Sequence, residues 1–234
     1  MGGRRCAVTR QLAFDLPGRE ALGRENFFVS PSNALALAAL EGWCNWPGAR
    51  MLLLGPAGAG KTHLAHVWAA EARARIVPAA GLGALDLPAL AEAGAVVVED
   101  ADRIGPSPDD EVALFHLHNL LGAQNAPLLI TATAPVRDWG LGLPDLASRM
   151  QAMAVTRLDR PDDALLSAVL VKLFADRQIT VAPALIPYLA QRMDRSFAAA
   201  RALVARLDAL ALAQGRPVTR ALAAAVLVRP DPPR

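Results

Sequence analysis

Between the apolar run Met51-Leu-Leu-Leu54 and a helical stretch opening at Thr62, the chain reads Gly55-Pro-Ala-Gly58-Ala-Gly60-Lys61-Thr62. This segment satisfies every fixed position of the phosphate-binding loop pattern, and it lies between a strand and a helix as that pattern requires. Glycines let the backbone wrap round phosphates with its N–H groups inward, and the helix that starts near Lys61 adds its positive end. Gly55, Pro56, Ala57, Gly58, Ala59, Gly60, Lys61 and Thr62 are therefore assigned to a nucleotide, ADP or ATP, with the Thr62 hydroxyl available to Mg²⁺. Of 24 basic residues only Lys61 and Lys172 are lysine. A compact ammonium fits between phosphate oxygens where a forked guanidinium is too bulky, and the lysine stands where that difference matters.

Such a loop needs an acid at the end of a neighbouring strand to hold the metal's water shell. Val96-Val-Val-Glu99-Asp100 supplies one downstream. Glu99 takes the metal role and Asp100 the water-polarising role, although acid pairs of this kind more often place Asp first, which points to slow hydrolysis by the chain itself.

Further short apolar runs, Ile76-Val77, Leu128 to Ala132 and Met153 to Val155, alternate with helical patterns at 34–40, 62–74 and 110–121. That order predicts an α/β fold, a parallel sheet flanked by helices. Past Leu158 only helices are predicted, over 162–176, 183–192, 197–212 and 219–228, so the sheet is followed by a small helical lid subdomain. The expected organisation is an extended arm over 1–24, an α/β core over 25–158, the lid over 159–228 and a proline-rich tail over 229–234. With 53% apolar residues and few aromatic ones, the 234-residue chain fills an aliphatic core.

A net charge of +2 with both signs spread along the chain advertises neither nucleic acid nor an anionic membrane. No apolar run reaches the roughly 18 residues of a membrane span, and no apolar segment follows Arg4-Arg5 to make an export signal. Cys6 and Cys44, the only cysteines, fit a reducing compartment, so the expected location is the cytoplasm. His116 and His118 lack the companions of a metal site, and the serines lack the setting of a hydrolase nucleophile.

Phe27-Phe-Val-Ser-Pro-Ser-Asn33, Gly60-Lys-Thr-His63-Leu, the Glu99-Asp100 strand and Gly142-Leu-Pro-Asp-Leu-Ala-Ser-Arg149 follow one another as in the DnaA-related AAA+ family. The resemblance covers about residues 25–228. The chain stops where the initiators of that family begin their helix-turn-helix domain, so it is more similar to the Hda-type regulatory inactivators of DnaA, and sequence-specific DNA binding of its own is not expected. Gln11-Leu12-Ala13-Phe14-Asp15-Leu16 resembles the short peptide that docks on the DNA polymerase III sliding clamp, its beta subunit. Gln11 would be the polar anchor, with Leu12, Phe14 and Leu16 in an apolar pocket.

What the resemblance implies is an AAA+ P-loop NTPase core that acts with DnaA and the clamp, free or as a homo-oligomer. His63 joins the nucleotide residues, and Arg149 becomes a trans arginine finger directed at DnaA-bound ATP. Thr131 or Thr133 falls near the sensor 1 position, with Thr133 taken as the sensor, where the family usually has Asp. The second arginine sensor is displaced: Ala198 stands in its register, and Arg195 one turn earlier or Arg201 one turn later are the substitutes, Arg195 being preferred. The rival reading is a DnaA-like adaptor or helicase loader that recruits partners without inactivating DnaA.

Overall fold

The computed structural model describes residues 27–228, Pro106 apart; the motif residues Gln11, Leu12, Phe14 and Leu16 lie outside them, as does the stretch 229–234. Strands β1 (Arg50–Leu54), β2 (Arg75–Pro78), β3 (Val96–Glu99), β4 (Leu128–Ala132) and β5 (Ala154–Arg157) pair in parallel in the order β2-β3-β4-β1-β5. All five predicted apolar runs are thus strands. β1 is interior, with β4 on one side and β5 on the other. Its residues and those of β4 are buried throughout, which is why both read as unbroken apolar runs.

Side chains that alternate along the strands divide the core into two layers. Leu52, Leu54, Val96, Val98, Leu128 and Ile130 face α4 (Pro108–Ala123), which contributes Leu114, Leu117 and Leu121. Met51, Leu53, Val97 and Leu129 face α1 (Ala34–Glu41) and α2 (Lys61–Ala72), where Trp46 stacks on Trp68 at 5.2 Å.

Two short helices were not expected. In α3 (Leu87–Ala91) the Asp86 carboxylate caps the first turn by accepting the Ala89 N–H at 3.1 Å. In α5 (Pro144–Gln151), proline takes the first helical position, where its missing N–H costs nothing, and only Leu146 and Met150 are buried. One i,i+4 pair is too little periodicity to be seen in sequence.

The last four helices, α6 (Asp163–Asp176), α7 (Leu185–Ala190), α8 (Phe197–Gln214) and α9 (Arg220–Val228), close on their own apolar cluster around Leu166, Leu170, Phe174, Leu189, Val204 and Leu207. α7 is shorter than predicted and tolerates Pro187 because that residue lies in its first turn, where N–H groups have no intrahelical partner. Asp162 caps α6 through the Leu165 N–H at 2.8 Å, and Gly215 ends α8 in the left-handed conformation. Among the described residues no helix is long and apolar enough to cross a membrane.

Candidate nucleotide site and the exposed arginine helix

The loop leaves β1 at its C-terminal end, the end at which open parallel sheets bind ligands. Two positions fix its path. Gly60 turns into α2 with φ 99°, a value that side-chain-bearing residues rarely adopt, and at Gly55 a Cβ would lie 2.5 Å from the Leu158 carbonyl oxygen. Lys61 is buried, and its Nζ donates to the Gly55 and Pro56 carbonyls at 2.9 and 3.3 Å. Burial lowers its pKa; Asp100 and Asp102 pull upward, Arg103 opposes them and Glu99 adds a smaller upward pull, and the pKa stays lowered. The acids at and just beyond the end of β3 are thus close enough to the loop lysine to bear on its charge.

β4 stands between β3 and β1 and braces that acidic end. The Asp100 N–H donates to Thr131 Oγ1 at 3.1 Å, which fixes Asp100 in the left-handed region at φ 54°. Thr133 is engaged differently: its N–H donates to Asp102 Oδ2 at 3.1 Å, its hydroxyl donates to the same oxygen, and the Ala134 N–H joins them at 3.3 Å. Asp102 escaped the sequence reading, although a third acid two residues beyond Asp100 was visible.

Glu99 Oε1 and Asp102 Oδ1 are buried without a hydrogen-bond partner. Two orphaned carboxylate oxygens are the hard acceptors that a hydrated Mg²⁺ takes, so the acidic end fits the ion. Thr62 is exposed on the first turn of α2.

The segment ahead of α1 meets the first turn of α2. Phe27 meets His63 edge-on at 5.3 Å. Asn33 folds the segment by accepting the Ser30 N–H and donating to the Phe28 carbonyl, both at 2.8 Å, and the Asp159 N–H donates to Ser32 O at 3.3 Å. At Asp162 burial raises the carboxyl pKa, yet hydrogen bonds from Leu165, Ser30 and Ser32 outweigh it and leave the pKa lowered.

Arg149 belongs elsewhere. It is exposed on α5, its guanidinium 5.0 Å from the centre of the Phe115 ring. The buried Glu111 carboxylate accepts the Gly142 and Leu143 N–H groups at 3.0 and 2.8 Å, which anchors the start of that helix. Glu111 and Phe115 are one turn apart on α4, so one face holds both ends of α5. His118, one turn further, has its pKa lowered to about 4 by burial first, then by Arg50 and Arg149. Arg50 begins β1, donating to the Ala126 and His118 carbonyls at 2.7 and 3.0 Å. The phosphate loop leaves β1 at its other end, roughly 13 Å away for a strand of this length. The fold thus gathers Lys61, Glu99, Asp100, Thr131 and Thr133 and sets Arg149 apart from them.

No protein-family profile matches the chain. Domain III of the Thermotoga maritima replication initiation protein DnaA superposes with a TM-score of 0.74 at 20% identity, over 91% of this chain and 98% of that one. The fold is that of an AAA+ domain. DnaA from Aquifex aeolicus bound to AMPPCP matches with a TM-score of 0.65 at 15% identity, covering 79% of this chain, which spans only 64% of that one. The FIGL-1 AAA domain in complex with ADP gives 0.64 at 17% identity, over 86% and 81% of the two chains. Arg195 pairs with Asp163 Oδ1 at 2.6 Å, and its neighbours Ser196 and Phe197 lie against Gly58 and Gly60 of the loop.

Proposed function

We propose that the chain is a nucleotide-bound regulator of replication initiation of the Hda type, with residues 25–158 as its AAA+ core and 159–228 as its lid. ADP or ATP with Mg²⁺ occupies the loop Gly55 to Thr62. The arm docks through Gln11, Leu12, Phe14 and Leu16 on the DNA-loaded sliding clamp, and Arg149 is presented to the ATP held by DnaA, whose hydrolysis it promotes. The observation that carries this reading is the exposure of Arg149 on α5, beside the opposite end of β1 from its own loop.

Each role follows from the side chain. Lys61 contributes a charge-assisted contact to phosphate oxygens, and His63, held by Phe27, borders the site. Mg²⁺, when bound, neutralises phosphate charge, with Thr62 and Glu99 as the residues that hold it. Asp100 orients water for the chain's own hydrolysis and Thr133 is the polar group nearest the sensor 1 position. Arg103 lies 3.7 Å from the Asp100 carboxylate in an exposed pair. A planar, permanently charged guanidinium is suited to stabilise charge on a transferring phosphoryl group of a neighbour.

The test is single-turnover hydrolysis of ATP bound to DnaA, with and without this protein and clamp loaded on DNA. Acceleration that needs both, and that disappears when Gln11 and Leu12 are changed to Ala, is the expected result. Binding to DnaA without acceleration would favour the adaptor or helicase-loader reading instead.

A further inference from the structure

The start of α8 sits directly on the phosphate loop. The Phe197 N–H donates to the Gly58 carbonyl at 3.1 Å. A Cβ added to Gly58 would lie 2.5 Å from Ser196 Cβ, and one added to Gly60 would lie 2.7 Å from the Phe197 ring. Each of the two left-handed glycines of the loop, at φ 75° and 99°, is thus covered by one lid residue. A loop that gathers its N–H groups round a phosphate turns carbonyls outward, so the bond to Gly58 O meets the loop from the side that phosphate leaves free.

Arg195 is engaged with Asp163 on α6, Ala198 is exposed and carries no charge, and the Ser196 hydroxyl is committed to capping α8 through the Ala199 N–H at 3.0 Å. Glycines are the residues with most backbone freedom, and a loop left to itself would sample conformations in which its N–H groups no longer converge. An aromatic ring on Gly60 and a hydrogen bond to Gly58 restrict it at both places.

We propose that Phe197 is a positioning residue through which the lid fixes the Gly58 to Gly60 backbone and so sets how long a nucleoside di- or triphosphate stays bound. The lid acts on the nucleotide through the loop's backbone. This rests on the reading that the loop holds a nucleotide.

Release of a fluorescent ADP analogue from the full chain, followed by stopped flow, tests it in wild type, Phe197→Ala, Phe197→Leu and Arg195→Ala. Phe197→Ala should release the analogue about tenfold faster, the upper end of what one aromatic contact supplies. Its association rate should stay close to that of wild type. Phe197→Leu should fall between the two, and Arg195→Ala should have a smaller effect than either. Thermal melting without nucleotide separates faster release from loss of the fold, and Phe197→Leu carries the test if Phe197→Ala does not fold. Wild-type release rates in both Phe197 variants, or an Arg195→Ala effect as large as that of Phe197→Ala, would overturn the proposal. Failure of the underlying reading is a different result: no retention by wild type, with Lys61→Ala indistinguishable from it, and that result would overturn both.

Discussion

The two ends of β1 are built by opposite means. At its C-terminal end one contiguous stretch, Gly55 to Thr62, supplies the turn, the ammonium and the helix start, and in the proposed reading the backbone itself is the nucleotide-binding surface. At its N-terminal end Arg50, His118 and Arg149 converge from β1, α4 and α5, and what is presented is one exposed side chain held by remote partners, Glu111 and Phe115. A site made of backbone tolerates little change in its glycines but is written locally. A site made of one presented side chain depends on packing that no local pattern encodes.

The largest effect expected from breaking this contrast is at Arg149. Arg149→Ala should lower the acceleration of hydrolysis on DnaA by about 10³ to 10⁵, or ~4–7 kcal/mol of barrier. It should leave the chain's own affinity for ADP unchanged. Arg149→Lys should restore little, since a point charge lacks the planar fork. Weakened ADP binding in Arg149→Ala would mean that the two ends are one site.

At the loop end, Lys61→Ala removes a charge-assisted contact and should weaken ADP and ATP by ~1.5–3 kcal/mol in calorimetry. Equal affinities for mutant and parent would remove the lysine from the site.

Glu111 sharpens the comparison because it supports Arg149 without being near the loop. Glu111→Ala leaves two part-buried N–H groups at the start of α5 without their charged acceptor and should cost ~1–3 kcal/mol in denaturant unfolding. Amide exchange over residues 142–149 should rise with it. Glu111→Gln keeps an amide oxygen and should recover part of the loss. Unchanged exchange over that segment would show that α5 is held by Leu146 and Met150 alone.

The smallest effect is one of pH. Native His118 stays neutral down to about pH 4, whereas the unfolded chain takes up that proton near 6.5. Between those values the unfolded state binds more protons, so stability is full above about pH 6.5 and falls as the pH drops towards 4. The loss should be ~1–2 kcal/mol, since the ring keeps some solvent. His118→Gln should remove that slope in urea midpoints compared across the window. A slope that survives the substitution would assign it to another group.

The order of strands and helices, the loop with its lysine and the acid-bearing strand were legible in the sequence because each depends on periodicity or on neighbours along the chain. Leu128 to Ala132 is a strand at both its predicted ends, and the burial that makes it one is what makes it apolar. α5 was not legible, since its buried residues are only Leu146 and Met150 and its first turn is held by Glu111 from another helix. Asp102 was passed over because its role is set by a bond to Thr133 across two strands. At the lid, register and charge pointed to Arg195 or Arg201, whereas Arg195 pairs with Asp163 and the loop is met by Ser196 and Phe197. Sequence by itself determined where backbone must bend and where the lysine sits beside the glycine loop, because glycine, lysine and helix start act within one turn of chain. Only the tertiary structure decided which side chains hold the helix of the exposed Arg149 and which lid residues lie on the loop, because those contacts join residues about 30 to 140 positions apart whose meeting depends on how whole helices pack.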